Sequence, residues 1–195
     1  MTVPKPLILA SSSPYRRALL DRLRLAYTVA APDVDESPSA NEEPRATALR
    51  LAESKARVVA QRFHPSLVIG ADQVAVLDGH SISKPGTHEA ARAQLAAMRG
   101  RRIVFHTALC LLDTETGHCQ LAEVPTTVQF RDYTDAEAAR YLDLEQPYDC
   151  AGSAKIEALG IVLVEKVESA DPTAIIGLPL ITLVTLLQRA GKAIL

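Results

Sequence analysis

The sequence predicts an α/β fold, a mixed sheet with flanking helices, and three observations predict it. Short apolar runs bounded by small or turn-forming residues, at positions 7–10 and 67–69, have the length and content of buried strands. Residues 45–63 instead repeat their apolar side chains at helical spacing, with Ala48, Leu51, Ala52, Ala56, Val59 and Ala60 on one stripe. The order of such segments mixes β–α with β–β connections, which calls for a mixed sheet rather than an all-parallel one.

Residues 7–10 read as the first strand. Ser11, Ser12 and Ser13 follow, then Pro14 and a run through residue 23. Ser13 suits an N-cap and Pro14 the first helical position. Strand, small-residue loop and helix N-terminus together make an anion site, because unpaired N–H groups and the helix dipole point at the loop. Arg16 and Arg17 oppose that dipole, and two arginines there point to a negative ligand; the plain alternative is that both face solvent. Residues 27–31 alternate as a second strand and run into a loop carrying Asp33, Asp35, Glu36, Glu42 and Glu43. Acidic loops are usually just solvated, but Asp35 and Glu36 follow a strand end closely, and two neighbouring carboxylates can hold a hard divalent cation.

Lys55 lies on the apolar stripe of the 45–63 helix, four residues from both Leu51 and Val59. Snorkelling past the helix flank is one outcome. Since Arg50, Glu53, Ser54 and Arg57 already form the polar face, an amine aimed across the core edge into a cleft is favoured. Asp72 and Gln73 are set between the apolar runs 67–69 and 74–77, and Asp78-Gly79 is a strong hairpin signal. The returning chain carries Lys84-Pro85, so an acid at a strand end and a base meet at one end of a sheet. That pairing suits a metal-and-phosphate site; an edge hairpin with solvated charges is the alternative.

Beyond the hairpin, Thr87 caps a helix to Met98 that Gly100 ends. Residues 103–112 and 121–130 form an antiparallel pair, 135–142 a short helix, 147–160 a polar loop holding Lys155 and Glu157, 161–167 a strand and 180–190 a closing helix.

The 195 residues fit one domain or two closely packed lobes, with no separable linker. A net charge of −2 gives no field to draw nucleic acid or an anionic membrane, and with no Trp an aromatic nucleic-acid platform is disfavoured. Cys110, Cys119 and Cys150 are odd in number and lack metal or redox spacing, which suits a reducing compartment. The N-terminus runs into its first strand without a signal-peptide core, and Gly177 and Pro179 break the apolar C-terminal segment. A cytoplasmic protein is expected.

Taken together, LILASSSPYRR near the start, DVDE at 33–36, LAESKA around Lys55, GADQV at 70–74, SKP at 83–85, CAGSAKIEALG and the late GLPL resemble the Maf family of nucleotide pyrophosphatases over nearly the whole length. The resemblance implies a Maf/inosine-triphosphatase-like elongated mixed sheet with two lobes around a central cleft, often dimeric. It implies hydrolysis of a nucleoside triphosphate to the monophosphate and pyrophosphate with a divalent metal, Mg²⁺ or Mn²⁺. Carried onto this sequence, the catalytic residues are Glu36, Lys55, Asp72 and Lys84, with Glu36 and Asp72 holding the metal and Ser11, Ser13, Arg16 and Arg17 binding phosphate. Tyr15, Gln73 and Glu157 resemble the branch acting on 7-methyl-GTP, although that branch carries Trp where this chain has Tyr15. A pyrimidine-triphosphate branch would instead show Arg, Thr and Gln there. The expected partner is a small-molecule nucleotide, neither nucleic acid nor membrane, bound by a homodimer. The alternatives are the same chemistry on dTTP, UTP or another modified nucleotide, and a nucleotide-binding regulator of cell division.

Overall fold

The structure, a computed structural model, describes residues 5–195. The part of the N-terminal reading that falls on residues 1–4 lies outside the described residues. Among those described, seven strands make one mixed sheet in the order β2-β1-β3-β5-β6-β7, with β4 paired to β3. The strands are β1 Leu7–Ala10, β2 Thr28–Val29, β3 Leu67–Leu77, β4 His80–Ile82, β5 Arg102–Asp113, β6 Cys119–Phe130 and β7 Val164–Ser169. The α-helices are α1 Pro14–Asp21, α2 Pro44–Ala60, α3 His88–Met98, α4 Asp135–Glu145 and α5 Leu180–Arg189. The chain divides into two compact units, the first running to Gln73 and adding Thr107–Val124 and Asp171–Leu195, the second being Val74–His106 and Pro125–Ala170.

In the first unit, β1 lies parallel to both β2 and β3, with Ile8 opposite Thr28 and Leu9 opposite Ile69. Leu7, Leu9, Leu19, Leu20, Leu67, Ile69, Leu109, Leu111, Leu183 and Leu187 fill one core, and each buried leucine contributes about 2 kcal/mol. Helix α2 packs a stripe of small residues towards the sheet. A Cβ on Gly70 of β3 would lie 2.1 Å from the Ala52 carbonyl oxygen and 2.9 Å from the Ala56 nitrogen, so only glycine lets strand and helix approach this closely.

Ahead of α2 the acidic loop is tied to the helix by Glu42. Its carboxylate accepts from Arg50 Nε and Nη2, both at 2.7 Å, from the Ser39 N–H at 3.0 Å and from Thr47 Oγ1 at 3.0 Å. The Arg50 hydrogen bonds, followed by that of Ser39, hold the Glu42 carboxyl at about 2, below its ordinary 4.5. Because the folded value lies below the unfolded one, this stabilisation is present above pH 4.5 and is lost as pH falls through about 2. The melting-temperature gap between the parent protein and Glu42→Gln is therefore expected to be widest near neutral pH and to close across that acidic window. A gap constant with pH would assign Glu42 a role without charge.

In the second unit, Asp78 and Gly79 both have positive φ, 49° and 81°, the backbone of a tight two-residue hairpin, and Ala75 faces Ile82 across it. Thr87 caps α3 through the Ala90 N–H, and Thr134 with Glu137 forms a capping box on α4. Tyr133 donates its hydroxyl to the Leu95 carbonyl at 2.7 Å, and α3 packs on α4. Strand β7 runs antiparallel to β6, with Val167 opposite Val128.

Two expectations are corrected. Strand β3 runs unbroken through Asp72 and Gln73, so Asp72 sits inside a strand of 11 residues and not at a strand end. Its polar side chains find partners within the first unit, which removes the reason to interrupt the strand. Residues 161–163 belong to the 3-10 turn Leu159–Leu163 rather than to the last strand. That turn is held at its start by the Leu159 N–H donating to Glu145 at 3.3 Å, and Ile161 and Val162 stay exposed. The cysteines are free thiols; the sulfurs of Cys110 and Cys119 come within 3.4 Å in the first unit, and burial pushes the Cys110 thiol up. A thiol so shifted is a poor nucleophile.

Candidate active site

The chemistry in the first unit gathers on Lys55. Its place on the buried face of α2 would ordinarily be costly for an ammonium, and the structure pairs it twice. Nζ lies 2.7 Å from Asp72 Oδ1 and 2.6 Å from Glu36 Oε1. Lys55 and Asp72 are 4% and 6% exposed, so their contact is made out of water, while Glu36 reaches in from an exposed position on the acidic loop. Burial pushes the Asp72 carboxyl above its usual range, with the positive charges of Lys55 and then Arg16 opposing. Asp35, the other candidate acid of that loop, turns instead to its own backbone and accepts from the Ser37 N–H at 2.9 Å.

The N-terminus of α1 completes the cluster. Ser13 is the N-cap, its Oγ accepting from the Arg16 N–H, and Pro14 opens the helix. Ser11 is buried, and its Oγ accepts from the Ser13 N–H at 3.1 Å and from Arg16 Nη1 at 3.5 Å. Arg16 Nε donates to the Gly177 carbonyl at 2.9 Å. Burial lowers the Arg16 guanidinium, and Asp72 and Glu36 oppose that shift, which sets the arginine electrostatically beside both acids. Arg17 is exposed and stands outside this hydrogen-bonded group, and Tyr15 is half-buried on the same helix.

Gln73 is committed to structure at one end: Nε2 meets Thr107 Oγ1 at 2.9 Å and the carbonyls of Ala174 and Ile175 at 3.0 and 3.1 Å. What remains for a ligand is its carbonyl oxygen. Thr107, Asp171 and Thr173 were missed by sequence reasoning. Thr107 hides in an apolar strand pattern, whereas the run Asp171-Pro172-Thr173 carried a readable turn signal.

Lys84 and Glu157 belong to the second unit. Lys84 is exposed on the stretch after β4. Glu157 follows the 3-10 turn Ala151–Ser153. Desolvation pushes its carboxyl up, with Glu145 and Asp149 adding to the shift and its own backbone N–H and Lys155 opposing it.

Glu36 and Asp72 are hard oxygen donors meeting at one ammonium, a set that Mg²⁺ or Mn²⁺ accepts alongside phosphate and water oxygens. Among the described residues no group of three or more His, Cys, Asp or Glu side chains is gathered for a metal. Two carboxylates would leave most of such an ion's oxygen shell to other ligands. No helix among the described residues is long and apolar enough to cross a membrane.

The family model for Maf-like protein matches residues 6–190. The chain belongs to the Maf family. Among its Maf relatives, 7-methyl-GTP pyrophosphatase of Cupriavidus pinatubonensis is 59% identical over 191 residues, 97% of this chain and 96% of that protein. The protein of the same name from Cupriavidus metallidurans is 60% identical over 185 residues, 95% and 93% of the two chains. That of Ralstonia nicotianae is 58% identical over 184 residues, 94% and 95%.

Proposed function

We propose that this Maf protein hydrolyses the α–β phosphoanhydride of 7-methyl-GTP, giving 7-methyl-GMP and pyrophosphate. One observation carries the assignment: near-full-length identity of 58% to 60% with relatives bearing that activity in their names. The acid–lysine–acid cluster of Glu36, Lys55 and Asp72 is the chemistry such a reaction needs.

Phosphoanhydride hydrolysis needs charge neutralised on phosphate oxygens and a water placed in line. Glu36 and Asp72 would hold Mg²⁺ or Mn²⁺, which when bound draws charge from the phosphate oxygens. Asp72, its carboxyl raised by burial, orients the attacking water and can take its proton. Arg16 and Arg17 with Ser11 and Ser13 bind the phosphate chain through charge-assisted hydrogen bonds. Lys55 and Lys84 supply further positive charge. The reaction serves as a cytoplasmic housekeeping step, carried out by a homodimer, that removes a modified nucleotide before incorporation.

For base choice, guanine presents two adjacent donors, N1–H and the exocyclic amine, that one carboxylate can accept together; Glu157 is proposed for this. Methylation at N7 makes the base cationic, which strengthens both its attraction to Glu157 and its stacking on Tyr15. Glu157→Gln is expected to cut kcat/KM for 7-methyl-GTP by about 10- to 100-fold and to change that for UTP far less. An equal loss on both nucleotides would remove Glu157 from base reading.

The direct test is pyrophosphate release from 7-methyl-GTP, GTP, dTTP, UTP and CTP with Mg²⁺ or Mn²⁺. Preference for 7-methyl-GTP is expected. Preference for dTTP or UTP keeps the chemistry and overturns the substrate, and binding without turnover on any of the five favours a regulatory nucleotide-binding role.

A further inference from the structure

We infer that residues 171–180 form an arginine-orienting clamp, in which Asp171 is a positioning residue that locks the loop and the Gly177 carbonyl aims Arg16 at the phosphate chain. The inference rests on the phosphate-binding role proposed above for Arg16, and it assigns a task to the late GLPL motif that the reaction itself leaves unused.

Asp171 is buried, 1% exposed. Its Oδ1 accepts from the Thr173 N–H and hydroxyl, at 3.0 and 2.7 Å, while Oδ2 accepts from the Ile181 and Thr182 N–H groups at 2.7 and 3.3 Å. Thr173 Oγ1 accepts from the Leu180 N–H at 2.8 Å. The first three N–H groups of α5 are thus satisfied from residues 171 and 173, with a carboxylate at the positive end of the helix dipole. This ties the loop's start to its end. Its middle is fixed as well, because Gln73 and Thr107 donate to the Ala174 carbonyl, both at 3.0 Å.

A loop held at both ends and in the middle presents one carbonyl outward to a charged side chain, that of Gly177 to Arg16 Nε. With Nε committed there and Nη1 near Ser11 Oγ, the plane of the guanidinium is set, and its terminal nitrogens keep the fork that matches phosphate oxygens. Gly177 is required by its backbone, whose φ of +116° a side chain resists; a Cβ there would stand in ordinary contact with Arg16, 3.5 Å from Nε and 3.8 Å from Cγ.

The test is a double-mutant cycle on the full-length protein, read by calorimetric titration with inorganic pyrophosphate. Gly177→Ala is expected to weaken pyrophosphate binding about tenfold, and Arg16→Ala at least as much. Arg16→Ala/Gly177→Ala is expected to bind no more weakly than Arg16→Ala alone, since the glycine acts through the arginine. Asp171→Asn, which keeps the side-chain shape and turns one acceptor into a donor, is expected to show the same non-additivity and serves as the readout if Gly177→Ala does not fold. Multiplying losses, parent-like affinity in Gly177→Ala with Asp171→Asn, or no pyrophosphate affinity in the parent protein would each overturn the clamp. Turnover of 7-methyl-GTP on the same proteins separates the two proposals: coupling without turnover retains the clamp and removes the activity.

Discussion

Asp72→Asn is expected to lower kcat for 7-methyl-GTP by a factor on the order of 10³, the scale of losing one essential charged group from a preorganised site. The side chain keeps its size and an oxygen acceptor for Lys55 Nζ, now 2.7 Å from Oδ1, and Lys55 keeps Glu36 at 2.6 Å. Stability is expected to move the other way. Burial raises the Asp72 carboxyl in the fold, so its contribution to stability is greatest below the unfolded value and is lost as pH rises through the folded one. At neutral pH the charge is carried at a cost that asparagine removes. The variant should therefore melt no lower than the parent at pH 7 while losing turnover. Near-parental kcat would remove Asp72 from the chemistry. A large fall in melting temperature would show that its charge serves the fold.

Gly70→Ala is the complementary case, a large structural effect from one methyl group. The added Cβ would meet the Ala52 carbonyl oxygen at 2.1 Å and Ala56 at 2.9 to 3.0 Å, all of it helix backbone or a methyl with nowhere to turn. Overpacking of this kind costs about 3 kcal/mol, which in a chain of this size lowers the melting temperature by roughly 10 °C. Activity falls too, because α2 carries Lys55 and β3 carries Asp72 only two residues beyond Gly70 on the same face of the strand. A helix pushed off the strand lengthens the ion pair between Lys55 and Asp72. A melting temperature within about 2 °C of the parent would mean that the two elements can separate freely, contrary to the packing described.

Much of this was legible in the residues. Ser13-Pro14 marked a helix start and Asp78-Gly79 a hairpin, because caps and positive-φ turns are local demands that a few residues satisfy. Lys55 stood out because a charge on an apolar stripe needs a partner, although the stripe could not say that Asp72 and Glu36 would both supply it. Strand β3 was misread as interrupted at Asp72 because alternation and hydropathy register a buried polar pair as a break. The run from Ile161 was read as strand when its first residues coil in a turn, since a short apolar run has no periodicity to separate the two. Thr107 and Asp171 escaped for a different reason. Their partners lie 67 residues away for the Thr107–Ala174 bond and 10 for Asp171–Ile181, and such pairings are settled by tertiary packing.

The first unit is discontinuous in sequence, built from three stretches of which the last begins at Asp171. Its order of birth on the ribosome follows from that. Glu36, Lys55 and Asp72 all emerge within the first stretch and can meet while most of the second unit is still unmade. Arg16 and Gln73 must wait for the carbonyls of Ala174, Ile175 and Gly177, which belong to the third stretch. A nascent chain therefore carries its acids well before the carbonyls that hold Arg16 and Gln73.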